Sequence, residues 1–316
     1  MDLRITDKGI ILLDVGGTFI KGGLSSSEGK LAEDVLWQMP IRSEGSRDEI
    51  LDALALSLRR GIGYMNALGM EAAGLAATFP GPFDYRKGIP LMEHKFRSIY
   101  GINLKTWISS LQGIPEEFQV SFIHDVVAQL FGEMSAGAAK GFRNVCVITL
   151  GTGLGFACSR NGEIQLSPTA SPARSLYNMP YKDGILEDYV SKRGFLRTYR
   201  ELHPDDQKYS DIELTVRNIG LRADAGEPEA IRTFSCTAAI LADAVKPLLE
   251  ENGTECLLLG GQISRSFRHM EKALKEGLSD VRTLKRISVE DHIDKAALYG
   301  SFAAFAKEHP DSVLQG

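Results

Sequence analysis

Two short turns of glycine and threonine are the first residues in this sequence equipped for chemistry: Gly16-Gly17-Thr18 near the start, and Gly151-Thr152-Gly153 near the middle. Glycine lacks a Cβ, so backbone N–H groups at such a turn approach an anion closely, and threonine adds a hydroxyl donor. Two such turns facing each other suit a polyphosphate held from both sides. Asp14 lies beside the first turn and offers a carboxylate to Mg2+, directly or through water. A second carboxylate, Asp125, follows the apolar run Val120 to Ile123 and opens a helical pattern. Taken alone it reads as a helix cap. Familiar alternatives are missing: the chain has no G-x-x-x-x-G-K-[ST], no strand-linked G-x-G-x-x-G, no H-E-x-x-H and no G-x-S-x-G.

The elements around these residues follow from hydrophobic spacing. Ile10 to Leu13 reads as a buried strand ending at Asp14, and a second strand runs from Phe19 to Leu24. A third extended segment is expected over Ala32 to Met39. Ser46 with Glu49 fits a capping box, and Ile50, Leu51, Leu54 and Leu58 recur at helical spacing. Ala73 to Thr78 reads as a strand stopped by Pro80-Gly81-Pro82. After the strand at Val120 to Ile123, a small-residue helix runs from about Asp125 to Ala139. Val145 to Leu150 and Leu154 to Ser159 are strands flanking the second turn. Helices are expected over Leu186 to Leu202, Ile212 to Ala223 (with a second capping-box pattern at Ser210 and Glu213) and Pro228 to Glu251. Cys256 to Leu259 is a strand, a helix starts near Ser264, and after a strand near Arg286 to Val289 a last helix spans Ile293 to Lys307. The strand–turn–strand unit over 12–24 recurs over 147–159, which suggests two related α/β domains.

Composition narrows the function. The chain has 316 residues, long enough for two domains, and 43% hydrophobic with 24% charged residues is ordinary for a globular protein. The net charge of −5 implies no basic face, so nucleic-acid binding is not expected. No run of 18 apolar residues occurs, so no membrane span is expected. The charged start, Met1 to Lys8, lacks an apolar signal region, which points to a cytoplasmic protein. Cys146, Cys158, Cys236 and Cys256 form no C-x-x-C pair and read as buried apolar residues in a reducing compartment.

Together the motifs resemble a family. Asp14-Val15-Gly16-Gly17-Thr18, followed by Ile20-Lys21-Gly22-Gly23, is similar to the phosphate-1 motif of the sugar-kinase/Hsp70/actin superfamily, and more narrowly of the ROK family of sugar kinases and repressors. Phe79-Pro80-Gly81-Pro82-Phe83-Asp84 resembles the family's "PGPVD". His124-Asp125-Val126, running on to Gly132-Glu133, resembles "NDANAAALGE", and Leu150 to Gly155 resembles the second phosphate loop "LGTGIG". Gly184-Ile185-Leu186-Glu187 with Tyr189-Val190-Ser191 resembles "GCLEXYVS", and Leu259-Gly260-Gly261 with Ile263-Ser264 resembles the adenosine segment "GGGIS".

The resemblance implies two ribonuclease-H-like, actin-like ATPase domains flanking an interdomain cleft that closes on the sugar. It implies ATP-dependent phosphorylation of a sugar hydroxyl. It places Gly16, Gly17, Thr18 and Lys21 on the phosphates from one side and Gly151, Thr152 and Gly153 from the other. Gly260 and Gly261 lie against adenosine, Asp14 serves Mg2+, and Asp125 is the catalytic aspartate. Glu187 corresponds to a glutamate that contacts sugar hydroxyls. The lobes are expected at 1–122 plus 292–316 and at 123–291. The family is often dimeric, although no stretch of this sequence demonstrates a homodimer interface. Family repressors carry an N-terminal helix-turn-helix domain of several dozen residues; only 13 residues precede Asp14, so a DNA-binding domain is not expected. The alternative to a kinase is a sugar- or nucleotide-sensing protein of the same fold.

The departures concern the sugar. His124 stands where the family usually has asparagine. The family's "N-L-P-G-W" segment corresponds to His94-Lys95-Phe96-Arg97-Ser98, which has no asparagine, and His94 or Lys95 is expected to reach the cleft. The family's zinc cluster has no counterpart: 166–184 holds no His or Cys, Ile185 replaces its last cysteine, and Arg174 or Tyr177 is expected in the space. Structural zinc takes four Cys or His ligands. Protein purified without metal tags is therefore expected to carry no stoichiometric zinc by elemental analysis; one zinc per chain would contradict this.

Overall fold

The computed structural model describes residues 8–203, 214–291, 293 and 295–313. The chain divides into two compact units. The first comprises 1–135, 166–173 and 295–316, and the second 136–165 and 174–294. The sequence placed the boundaries at 122 and 292. They fall later because the helix that opens at Asp125 packs against the last helix of the chain, within the first unit.

The sheet of the first unit contains β1 (Lys8–Val15), β2 (Phe19–Ser26), β3 (Trp37–Pro40), β4 (Glu71–Phe79) and β7 (Gln119–His124), in the order β3-β2-β1-β4-β7. β1 runs antiparallel to β2 and parallel to β4, which runs parallel to β7. β5 (Phe83–Asp84) and β6 (Ile89–Pro90) form a small separate hairpin. Side chains alternate across a strand, and β1 is apolar at almost every position because both its faces are covered. Ile11, Leu13 and Val15 pack with Ile50, Leu51, Leu54 and Leu58 of α1 (Arg47–Ala67). Ile10 and Leu12 pack with Leu298 and Phe305 of α9 (Ala296–Glu308). The Ser46/Glu49 capping box forms at the start of α1, as the spacing required. α2 (Leu104–Ser109), started by Asn103, was not anticipated from the sequence.

The sheet of the second unit contains β8 (Val145–Leu150), β9 (Leu154–Arg160), β10 (Glu163–Ile164), β13 (Cys256–Gly260) and β14 (Arg286–Val289), in the order β10-β9-β8-β13-β14. Its directions repeat those of the first sheet: β8 is antiparallel to β9 and parallel to β13, which is parallel to β14. The recurrence seen in the sequence is thus a recurrence of topology. β11 (Pro180–Tyr181) and β12 (Gly184–Ile185) make a short hairpin before α4 (Leu186–Val190) and α5 (Lys192–Leu202). The sequence suggested one helix over Leu186 to Leu202. It breaks at Ser191 (ψ −177°), where the Lys192 N–H donates to the Gly151 carbonyl, and Gly194 lies against the Tyr189 backbone where no Cβ fits. α6 (Val216–Asp224), α7 (Pro228–Asn252) and α8 (Glu271–Gly277) complete this unit's core. The Ser210/Glu213 pattern and the expected helix start at Ile212 lie outside the described residues.

Other differences are local. The extended segment expected over Ala32 to Met39 shortens to β3, because the Val35 N–H turns back to the Ala32 carbonyl. The helix expected near Ser264 is a 3-10 stretch, Gln262–His269, followed by α8. Cys146, Cys158 and Cys256 are buried, but Cys236, expected buried, is exposed on α7. No described helix is long and apolar enough to cross a membrane.

α3 (Asp125–Ala136) and α9 meet through small residues. A Cβ on Gly132 would lie 2.9 Å from the Ala296 carbonyl oxygen, and one on Gly300 would collide with the Ala128 carbonyl. Alanine normally gains about 1 kcal/mol over glycine inside a helix. Here the obstacle is backbone that cannot rotate away, so overpacking of about 1–3 kcal/mol dominates. Gly300→Ala is expected to lower the thermal midpoint of the purified protein; a raised midpoint would show that the helices are not in contact.

Candidate active site

In the first unit, the polar residues singled out by sequence gather at the carboxyl edge of the sheet. Asp14 ends β1. It faces Thr78 on β4 and Lys21 on β2 by register, and His124, the last residue of β7, faces Phe79 on β4. Parallel register across β1, β4 and β7 therefore brings Asp14 and Asp125 to one edge, although 110 residues of chain separate them in sequence.

The first glycine turn sits on that edge. The Gly16 N–H donates to the Phe19 carbonyl (2.9 Å) and closes the turn. The Gly17 and Thr18 carbonyls accept from Ser43 (3.0 Å) and Ile41 (2.9 Å). A trans peptide points its C=O and N–H in opposite directions. The N–H groups of Thr18 and Phe19 therefore face away from the 41–43 segment, on residues that are exposed. That is the arrangement an anion requires.

The two carboxylates are under opposite pressures. Burial raises the Asp14 carboxyl above its ordinary value, and the Asp125 charge adds to the rise; a 2.7 Å hydrogen bond donated by the Thr78 hydroxyl and the Lys21 charge only partly offset it. Burial also works to raise Asp125, but there it is outweighed. The charge and hydrogen bond of His124, whose Nδ1 lies 2.7 Å from Asp125 Oδ1, the Val126 N–H (2.8 Å) and the Lys95 charge hold Asp125 below the usual carboxylate range. Asp125 is thus fully ionised at neutral pH.

His124 is fixed from its other side. A Cβ on Gly81 would lie 3.2 Å from His124 Nε2, so the glycine of Pro80-Gly81-Pro82 makes room for the ring. Tyr85, 5.7 Å from it between ring centroids, donates its hydroxyl to the Phe79 carbonyl (2.8 Å). The 94–98 segment is anchored by Phe96, fully buried with φ 53°, whose N–H donates to the Ser43 carbonyl (2.7 Å). This leaves Lys95 half-buried with its charge on Asp125, while His94 is exposed. Of the two candidates there, Lys95 is the one whose charge acts on Asp125.

In the second unit, the second turn and the Gly260-Gly261 segment share one sheet edge. Gly260 pairs with Thr149, and Gly261 (φ 78°) packs on the Leu150 backbone with no space for a Cβ. A Cβ on Gly260 would meet the Glu290 carboxylate, and Ser264 Oγ donates to the Gly260 carbonyl (2.6 Å). Around Gly151, by contrast, the space is open, and Thr152 is exposed. Glu187, expected to contact sugar, is bonded within its own unit. Its Oε2 accepts from the Leu154 N–H (2.8 Å) and its Oε1 from Arg193 (3.0 Å), which also pairs with Asp188 (2.8 Å). This carboxylate buttresses the second turn. Of the residues expected in place of a zinc cluster, Arg174 is tied to Glu251 and Tyr177 is exposed. Among the described residues, one group could offer an ion three ligand atoms, His203, Glu227 and Glu229, and His203 and Glu227 already pair at 3.3 Å.

Sequence reasoning missed Thr78, Arg193, Glu290 and the brace at Ser43. Thr78 alone left a signal, as a polar residue in the otherwise apolar strand end before Pro80.

Comparison with known proteins decides the family. The sequence model of the ROK family matches residues 10–169. The chain belongs to the ROK family. A glucokinase from Halalkalibacterium halodurans is 24% identical over 292 residues, covering 86% of each chain. Among solved structures, a ROK family glucokinase from Streptomyces griseus, in complex with glucose and AMPPNP, matches with a TM-score of 0.77 at 20% identity, covering 94% of this chain and 98% of that one. A ROK family transcriptional regulator, a homologue of the E. coli MLC protein, matches with a TM-score of 0.79 at 17% identity, over 94% of this chain and 77% of that one. Both structural likenesses establish the ROK fold, with its paired actin-like ATPase units.

The pressure on Asp14 has a measurable consequence. A carboxyl whose pKa is raised on folding destabilises the fold above that pKa, and the penalty disappears as pH falls through it. Asn in place of Asp14 removes the charge yet keeps an oxygen for the Thr78 hydroxyl. Asp14→Asn is therefore expected to melt higher than wild type at pH 7, with the gap narrowing toward acid pH. A lower midpoint at pH 7 would contradict the assignment.

Proposed function

We propose that this ROK protein is a sugar kinase that transfers the γ-phosphoryl group of ATP to a sugar hydroxyl, with Asp125 as general base. The observation that carries the proposal is the pair of carboxylates at one sheet edge beside an anion-ready turn, Asp14 raised by burial with a smaller contribution from the Asp125 charge, and Asp125 held low by its partners. Phosphoryl transfer passes through a loose transition state, so positioning and charge stabilisation dominate. The acceptor alcohol must still be oriented and lose its proton as the P–O bond forms. Asp125, held ionised by His124, Val126 and Lys95, does both.

In the first unit Gly16, Gly17, Thr18 and Lys21 suit phosphate, and in the second unit Gly151, Thr152 and Gly153 do. Gly260 and Gly261 take the adenosine. Asp14 fits a hard divalent cation, since a carboxylate already raised by burial and a like charge gains most from one. Mg2+ bound with ATP would neutralise phosphate charge. On the acceptor side, His124 is bonded to Asp125 and the Lys95 charge acts on it, with His94 at the exposed rim of the same segment. The glucokinase relative points to a hexose-like acceptor, and His124 in place of the family's asparagine sets the preference among such sugars. A sensor of the same fold, suggested by the likeness to the regulator, would need neither an ionised Asp125 nor Asp14.

Asp125→Asn keeps the size and a hydrogen-bond acceptor for the Val126 N–H but removes the charge and the proton acceptor. General-base loss costs about 10²–10⁴-fold in rate. The variant is expected to bind ATP–Mg2+ as wild type does, by calorimetry, while kcat for the sugar falls by that factor. Retention of more than roughly a third of wild-type kcat would remove Asp125 from the base role.

A further inference from the structure

The hairpin that carries the second glycine turn also carries two cysteines. Cys146 on β8 and Cys158 on β9 stand directly opposite each other. The surrounding hydrogen bonds show what kind of pair they form. Antiparallel strands alternate between pairs that exchange hydrogen bonds and open pairs that do not. At the turn, Gly151 bonds to Gly153, while the Leu154 N–H leaves the ladder for Glu187, so Leu150 and Leu154 are an open pair. Stepping back by twos along the register, Ile148 with Phe156 and then Cys146 with Cys158 are open as well. The Cys158 carbonyl agrees, since it accepts from the Gln165 N–H (2.9 Å) on the strand's other flank.

Open pairs set their Cα atoms about 4.5 Å apart with side chains facing, inside the roughly 4.4–6.8 Å that a disulfide spans. The two thiols differ in environment. Cys146 is fully buried, with its sulfur 3.2 Å from Thr254 Oγ1, whereas Cys158 keeps 8% exposure. The hydrogen bond from Cys146, followed by the charges of Arg174 and Arg160, holds the Cys158 thiol below its ordinary value against burial. The same hydrogen bond and burial push Cys146 well up. A small oxidant thus meets a thiolate-prone cysteine with a resolving thiol already opposite.

We propose that Cys146 and Cys158 are a peroxide-oxidisable dithiol that closes to a disulfide across the hairpin of the second glycine turn. The Cys158 thiolate attacks one oxygen of hydrogen peroxide, so that an S–O bond forms, the O–O bond breaks and hydroxide leaves. Cys146 then attacks the Cys158 sulfur; the S–S bond forms, the S–O bond breaks and a second hydroxide leaves. The two thiol protons convert both hydroxides to water. Two electrons pass from the sulfurs to the peroxide.

The test needs no kinase activity. No Lys or Arg lies between the two cysteines, so one tryptic peptide, Asn144 to Arg160, holds both. After treatment of the full chain with hydrogen peroxide, that peptide is expected to lose two hydrogens and to refuse alkylation until dithiothreitol is added. In Cys158→Ser, Cys146 is expected to stay alkylatable, with oxidation slowed about tenfold or more. In Cys146→Ser, Cys158 is expected to accumulate as a sulfenic acid captured by dimedone. A wild-type peptide with Cys158 as sulfinate and Cys146 reduced, a link from Cys146 to Cys256, or no change at either residue would overturn the proposal.

Discussion

The structure of the first unit turns on one electrostatic constraint: two carboxylates, Asp14 and Asp125, are placed at the same sheet edge, where burial raises the first and the partners of the second hold it below the usual range. Parallel register across β1, β4 and β7 imposes the proximity. The fold answers it asymmetrically. Asp125 receives His124, the Val126 N–H and the Lys95 charge, and Asp14 receives the Thr78 hydroxyl and Lys21, which do not suffice. On the proposed function, the undercompensated carboxylate suits a cation, and the ionised one orients the acceptor hydroxyl and takes its proton as the P–O bond forms. Both are needed to move a phosphoryl group onto an alcohol.

The surrounding chain fixes these groups by bracing backbone. The first turn is held through its carbonyls by the 41–43 segment, which also anchors Phe96 and so carries Lys95 to Asp125. In the second unit, Glu187 and the Lys192 N–H brace the other turn, and Gly261 lies on Leu150 so that the Gly260-Gly261 segment and the turn share an edge. The same sheet topology, used twice, presents a glycine turn at the same place in each unit: between the central strand and its antiparallel neighbour.

Much of this was legible because it is local. The strands around both turns show as apolar runs, the capping box of α1 is four residues long, and Asp14 adjoins its turn in sequence. What escaped is non-local. Thr78 reaches Asp14 only through strand pairing, and Glu187 meets Leu154 only once α4 has packed beneath the second turn. The break at Ser191 depends on a carbonyl from Gly151, and the segment Leu166–Ala173 joins the first unit although it lies between parts of the second in sequence. The family resemblance supplied the expected roles of the glycine turns, Asp125 and Glu187; that Glu187 also holds the Leu154 N–H and Arg193 could not be read from the motif.

Sugar-dependent release of ADP from ATP–Mg2+ tests the central claim most directly. It is best measured by a coupled assay over hexoses, amino sugars and N-acetyl sugars, with the sugar phosphate identified by mass spectrometry. The account predicts that at least one of these sugars raises ADP release well above the sugar-free rate and is recovered as its monophosphate. ATP binding with no sugar-dependent turnover across the whole set would contradict it.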